Sequence, residues 1–102
     1  MSNWTQVVEL ENIPLLGSRV FRSGEQEIAI FRTREDRVFA LHNACPHQRG
    51  VLSEGIVHGH KVTCPLHNWV INLEDGEAQG ADEGQTACFE VQVRQGIVYI
   101  NL

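Results

Sequence analysis

Cys45-Pro46-His47 and Cys64-Pro65-Leu66-His67 are the two segments on which the reading of this chain turns. Each sets a cysteine and a histidine two or three positions apart, and the segments are near copies of one another. Sixteen residues separate His47 from Cys64. A thiolate and an imidazole so close in sequence can point from one loop tip toward the same metal unit. Two such loops, brought together by a hairpin, can clamp that unit from opposite sides. At about 3.3 Å per residue the intervening stretch suffices for two short strands and a turn. Pro46 and Pro65 each fix φ at about −65° directly after a cysteine, which stiffens both loops before any metal arrives.

Thiolate and imidazole in equal number suit zinc or an iron–sulfur centre. Tetrahedral zinc accepts two cysteines and two histidines. Zinc fingers, however, group their ligands as a cysteine pair followed by a histidine pair, whereas here each arm is mixed. Mixed arms match a [2Fe–2S] unit in which two thiolates hold one iron and two imidazoles the other. Cys45, His47, Cys64 and His67 are therefore the candidate ligands, and the chain reads as a one-electron carrier. Two ferric ions and two sulfides are cancelled by two thiolates, and neutral imidazoles add no charge. A four-cysteine cluster would be two charges more negative in both redox states. An electron is thus added more easily here, the physical reason for potentials of about −150 to +300 mV in centres of this kind.

Outward from the two arms the chain reads as strands and turns, with no convincing amphipathic helix. Gln26 to Thr33 has Ile28 and Ile30 on one face and Ala29 and Phe31 on the other, the pattern of a strand buried on both sides. Arg37 to His42 repeats it, and Glu35-Asp36 predicts a short hairpin between the two. Phe89, Val91 and Val93 alternate with polar residues as one half-buried strand, and Gln95-Gly96 turns into a last strand, Ile97 to Leu102. Thr5 to Leu10 opens the sheet. Residues 43–80 have another texture: two of the three prolines, five of the nine glycines and all four candidate ligands. Within them Gly55 to Val57 and Lys61 to Thr63 predict a small hairpin turning at His58-Gly59, and Trp69 to Asn72 a further strand turning at Asp75-Gly76. The expectation is one all-β domain over 1–102: a sandwich or barrel base of about 1–42 and 81–102, with a small cluster-binding insertion of about 43–80.

Composition narrows the function classes. The net charge of −5 is uneven, because residues 1–61 carry seven basic and seven acidic side chains while residues 62–102 carry Arg94 against six acids. Nucleic acid is not an expected partner, since phosphates need a basic surface. A basic protein surface is compatible with the acidic C-terminal part. The longest apolar runs are four residues, such as Val38 to Leu41, so no membrane helix is expected. Met1 to Leu10 shows neither a basic start nor an apolar run, so no signal peptide is expected. Three cysteines, two of them paired with histidines, fit a reducing compartment, and a cytoplasmic location is expected. His42 reads as a strand-end polar residue, His58 and His60 as exposed turn residues, Cys88 as a buried structural thiol, and Trp69 as packing on the second ligand loop. No nucleotide fingerprint, Ser/His/Asp set or carboxylate pair is present. No catalytic residue is assigned, and no activity is expected of the chain alone.

The string CPH…CPLHNW resembles the Rieske family, and the resemblance spans the whole chain in length and strand order. It implies a [2Fe–2S] cluster on Cys45, His47, Cys64 and His67. High-potential respiratory members link their ligand loops by a disulfide between two extra cysteines. Here those places hold Arg49 or Gly50 and Pro65 or Leu66. Those members also donate serine and tyrosine hydroxyls to the cluster just past the second histidine, where this chain has Trp69 and Ile71. The resemblance therefore implies a potential in the lower part of the range. Within the family, CPHQRGVLSEGIVHG and VTCPLHNWVINLEDGEAQG are similar to the small subunits of NAD(P)H-dependent nitrite reductases. That likeness implies a large partner subunit carrying FAD, sirohaem and a [4Fe–4S] cluster, which reduces nitrite to ammonium in nitrate assimilation. The ligand spacing alone fits the ferredoxin of a ring-hydroxylating dioxygenase equally well. A structural or regulatory subunit whose centre only stabilises the fold is the reading from a different class.

Overall fold

The computed structural model describes residues 4–44, 51–65, 69–78 and 84–102. Its strands are β1 (Trp4–Glu9), β2 (Ser18–Ser23), β3 (Gln26–Arg32), β4 (Val38–His42), β5 (Ile56–His58), β6 (Lys61–Thr63), β7 (Val70–Asn72), β8 (Cys88–Phe89), β9 (Val91–Arg94) and β10 (Ile97–Asn101). They form three antiparallel sheets, ordered β1-β10-β9, β2-β3-β4-β8 and β5-β6-β7. Short 3₁₀ turns at Leu10–Asn12 and Leu52–Glu54 complete the elements, and no α-helix occurs among the described residues. The class is all-β, as the alternation predicted.

The four-residue run Ile28 to Phe31 explains how the layers stack. Side chains alternate across a strand, so an apolar run can be buried throughout only if both faces are covered. All four residues are at most 1% exposed. Ile28 and Ile30 join Val38 and Ala40 of β4 in a core with Val98 and Ile100 of β10, closed by Ile13. Ala29 and Phe31 face the other way with Leu41, into a second core with Leu52, Val57, Val62, Cys64, Ile71 and Leu73. The β2–β3–β4–β8 sheet therefore lies between the other two. The smaller β5–β6–β7 sheet packs on the face that bears Ala29, Phe31 and Leu41, with Cys64 in the core between them.

The turns follow from local chemistry. Between β3 and β4, Thr33 N–H donates to the Arg37 carbonyl (2.8 Å) and Asp36 takes φ +63°. The Asp36 carboxylate pairs with Arg32 at 2.7 Å. Gln95 and Gly96 both have positive φ, the two-residue type I′ pattern that matches strand twist between β9 and β10. At Gly76 (φ +77°) a Cβ would overlap the Thr86 carbonyl, so the chain after β7 can lie against Thr86 only with glycine there.

Three expectations need correction. β2 was not foreseen: Ser-Arg-Val-Phe-Arg-Ser is an edge strand with Val20 exposed and Phe21 only half-buried, so it lacks the alternation that marks a core strand. The single strand expected through Phe89–Val93 is two strands separated at Glu90. β8 pairs with β4 and β9 pairs with β10, so the chain changes sheets in mid-run without changing its period. Cys88, expected to be buried, is exposed, because β8 is the edge of its sheet.

Candidate metal centre

Cys64 is the candidate ligand that the structure describes, directly following β6. Its side chain is fully buried in the core that also holds Leu41, Leu52 and Val62. The Cys64 N–H donates to the Trp69 carbonyl at 2.6 Å, closing the second arm at its root. Trp69 is half-buried and packs on the same core. Pro65 points to solvent. Cys45, His47 and His67 lie outside the described residues, so the geometry of the arms is carried by what holds their ends.

The first arm leaves from β4 and returns at Val51. Ala44 N–H donates to the His42 carbonyl (2.8 Å), and Asn43 Oδ1 accepts from the Ser53 N–H at 2.8 Å. Leu52 then drops into the core beside Cys64. At Gly55 an added Cβ would overlap the Thr63 carbonyl oxygen and approach Val62 Cγ2 to 2.9 Å. Ile56 pairs with Thr63 in the β5–β6 ladder. The return of the first arm is thus packed directly on the residue preceding Cys64, so the two arms converge at their roots.

This setting fits an iron–sulfur cluster. A buried sulfur at a loop root, walled by aliphatic side chains, offers a soft donor shielded from water, unsuited to a hard cation. Among the described residues no group of three or more His, Cys, Asp or Glu side chains forms an alternative metal site. Ile71 is fully buried, and neither it nor Trp69 has a hydroxyl to offer a sulfide.

The remaining histidines stand apart. His42 ends β4 on the face shared with Val38 and Ala40, opposite Leu41, and its buried Nδ1 has no hydrogen-bond partner. His58 is exposed, as expected, with Nε2 at 2.7 Å from Thr63 Oγ1. His60, expected to be exposed, is instead partly covered. Its Nδ1 lies 3.0 Å from Glu74 Oε1 and its Nε2 3.3 Å from Glu35 Oε1. These hydrogen bonds, Glu74 first, raise its pKa above the usual histidine value, with desolvation partly opposing them. Sequence reading missed this contact because Glu35, His60 and Glu74 come from three separate turns.

Comparison with known proteins gives two sets of relatives. The small subunit of nitrite reductase (NADH) from Salmonella typhimurium is 31% identical over 107 residues, spanning 98% of both chains. The ferredoxin subunit of anthranilate 1,2-dioxygenase from Burkholderia cepacia is 33% identical over 81 residues, covering 78% of this chain and 74% of the relative. The solution structure of the Escherichia coli protein NirD superposes with a TM-score of 0.86 at 28% identity, covering 100% of this chain and 98% of that one. The sequence pattern of the Rieske-like [2Fe-2S] domain matches residues 3–101. With Cys64 buried where two loop roots meet, and with that pattern running through nearly the whole length, the chain belongs to the Rieske-like [2Fe–2S] domain family and is an electron-transfer domain whose cofactor is a [2Fe–2S] cluster.

Proposed function

We propose that this chain is the electron-carrying small subunit of an NAD(P)H-dependent nitrite reductase. Cys45 and Cys64 hold one iron, His47 and His67 the other. The base of about 1–42 and 81–102 carries the insertion of about 43–80 that holds them. The partner is a large subunit with FAD, sirohaem and a [4Fe–4S] cluster, where nitrite becomes ammonium, and the complex works in the cytoplasm. No helix of the described residues is long and apolar enough to cross a membrane.

The observation that carries this reading is end-to-end correspondence. The nitrite reductase small subunit aligns over 98% of both chains, whereas the dioxygenase ferredoxin aligns over about three quarters of each. The slightly higher identity to that ferredoxin favours a second reading, electron delivery to a ring-hydroxylating oxygenase.

When bound, the cluster supplies uptake and release of one electron. The chain's own residues set the conditions for it. Cys64, inside the core, keeps water from its sulfur, and the Cys64–Trp69 hydrogen bond holds the second arm closed. Two thiolates and two neutral imidazoles give the centre a smaller negative charge than four thiolates would, which favours reduction.

The test is reconstitution with the large subunit. Wild-type chain should support nitrite-dependent NAD(P)H oxidation, and His67→Ala should assemble but lose most of it. A full rate in an assembled His67→Ala complex without cluster would leave the chain a structural role. No stimulation of the reductase, with electron delivery to an aromatic-ring oxygenase instead, would establish the second reading.

A further inference from the structure

Asn43 is one of three buried polar residues among those described, at 8% exposure, and each polar atom of its side chain is used. Oδ1 accepts from the Ser53 backbone N–H at 2.8 Å. Nδ2 donates to Glu27 Oε1 at 3.3 Å, and the Asn43 backbone N–H donates to the Glu27 carbonyl at 2.9 Å. Glu27 is in turn paired with Arg22 at 3.1 Å. On the other side of the same residue, the Ser53 carbonyl accepts from Ser18 Oγ at 2.7 Å. Ser53 is therefore gripped at its N–H from the end of β4 and at its carbonyl from the start of β2.

No strand ladder joins Asn43 to Ser53. Ten positions apart in sequence, they are joined by this side-chain amide. A buried amide donor or acceptor left without its partner costs about 1–3 kcal/mol, so the contact is strongly specified. The nine residues between them include Cys45 and His47.

We propose that Asn43 is a positioning residue for the iron–sulfur centre: its amide ties the middle sheet, through Glu27, to the Ser53 peptide and so sets the span of the first ligand arm. The inference rests on the assignment of Cys45 and His47 as ligands. Residues that orient metal ligands in this indirect way typically change metal affinity about 10–100-fold when removed. Asn43→Ala leaves Cys64 and the closed root of the second arm in place. It releases the Ser53 N–H and frees the separation of the two points between which residues 45–50 run.

The experiment compares purified holoprotein of wild type, Asn43→Ala, Ser18→Ala and the double variant Asn43→Asp/Glu27→Gln. The double variant keeps an acceptor for the Ser53 N–H and reverses the donor at position 27. Three quantities are read: the EPR g-values of the reduced cluster, the midpoint potential, and the rate of cluster loss to an iron chelator. Asn43→Ala should lose its cluster about tenfold faster or more, with shifted g-values and potential. Ser18→Ala, which removes one grip and disturbs packing least, should move the same quantities in the same direction by less. The double variant should return toward wild type. A fall in thermal stability alone, with wild-type g-values, potential and chelator rate in both single variants, would overturn the inference while leaving the ligand assignment intact. A wild-type chain that binds no [2Fe–2S] cluster at all would overturn both.

Discussion

His60 has a carboxylate at each ring nitrogen, and a neutral imidazole has only one N–H to give. Only the imidazolium can donate to Glu74 and Glu35 together. The Phe39 ring also lies beside it, 5.3 Å between centroids, and carries the Arg37 guanidinium 5.5 Å from its centre. The two glutamates hold the proton on and raise the pKa. A pKa raised on folding contributes stability that is complete below the unfolded value, about 6.5, and fades as pH rises through the folded value. The thermal midpoint of wild type should therefore exceed that of His60→Gln at pH 6, and the gap should narrow as pH rises through the raised folded-state value. The glutamates are exposed and the pair is screened, so added salt should shrink the gap. Parallel pH curves for the two proteins would contradict this account. Neither Glu35 nor Glu74 could be matched to His60 from sequence, because they lie 25 and 14 positions away.

At the scale of elements, the joint between the Leu52–Glu54 turn and β6 packs the return of the first proposed ligand arm against the residue preceding Cys64. Gly55 allows it, since any side chain there collides with the Thr63 carbonyl and the Val62 methyl. The backbone cannot yield as a flexible side chain could, and overpacking of this kind costs about 1–3 kcal/mol or more. Gly55→Ala should lower the urea midpoint accordingly and loosen the cluster. Wild-type stability in that variant would mean the joint is not close-packed. The sequence placed Gly55 at the start of a hairpin strand but did not show what it touches. Strand existence was legible where buried residues mark the strand: β3, β4, β6 and β10 lie within one residue of their expected bounds at either end. It was illegible for β2, whose side chains are half-exposed, and for the switch from β8 to β9, where a period of two continues while the partner strand changes.

Over the whole molecule, the middle sheet supports opposite cores on its two faces, and the cluster core is the one containing Cys64. The residues that follow the second arm bring apolar bulk and no hydroxyl: Ile71 is sealed in the core and Trp69 packs on it. With no hydroxyl at those two positions to bond the sulfides, the oxidised state is less disfavoured. The midpoint potential should fall below about +150 mV, in the lower part of the roughly −150 to +300 mV span of such centres. Protein-film voltammetry reads it directly, and a higher value would require a donor from elsewhere in the chain. The excess negative charge of residues 62–102 is displayed at Glu74, Glu77 and Glu90, which are exposed.

What the sequence by itself determined is the donor chemistry and the period. Two mixed Cys/His arms name a centre of soft and borderline ligands, and alternating apolar residues name strands, because both signals reside in neighbours along the chain. What only the tertiary structure decided is how the arm roots are held, Asn43 on Ser53 and Gly55 against Thr63, and where the other titratable groups sit, His60 between two glutamates and Cys88 outside rather than in. Each of those depends on which distant segments come into contact, and a single sequence records the residues that meet without recording the meeting.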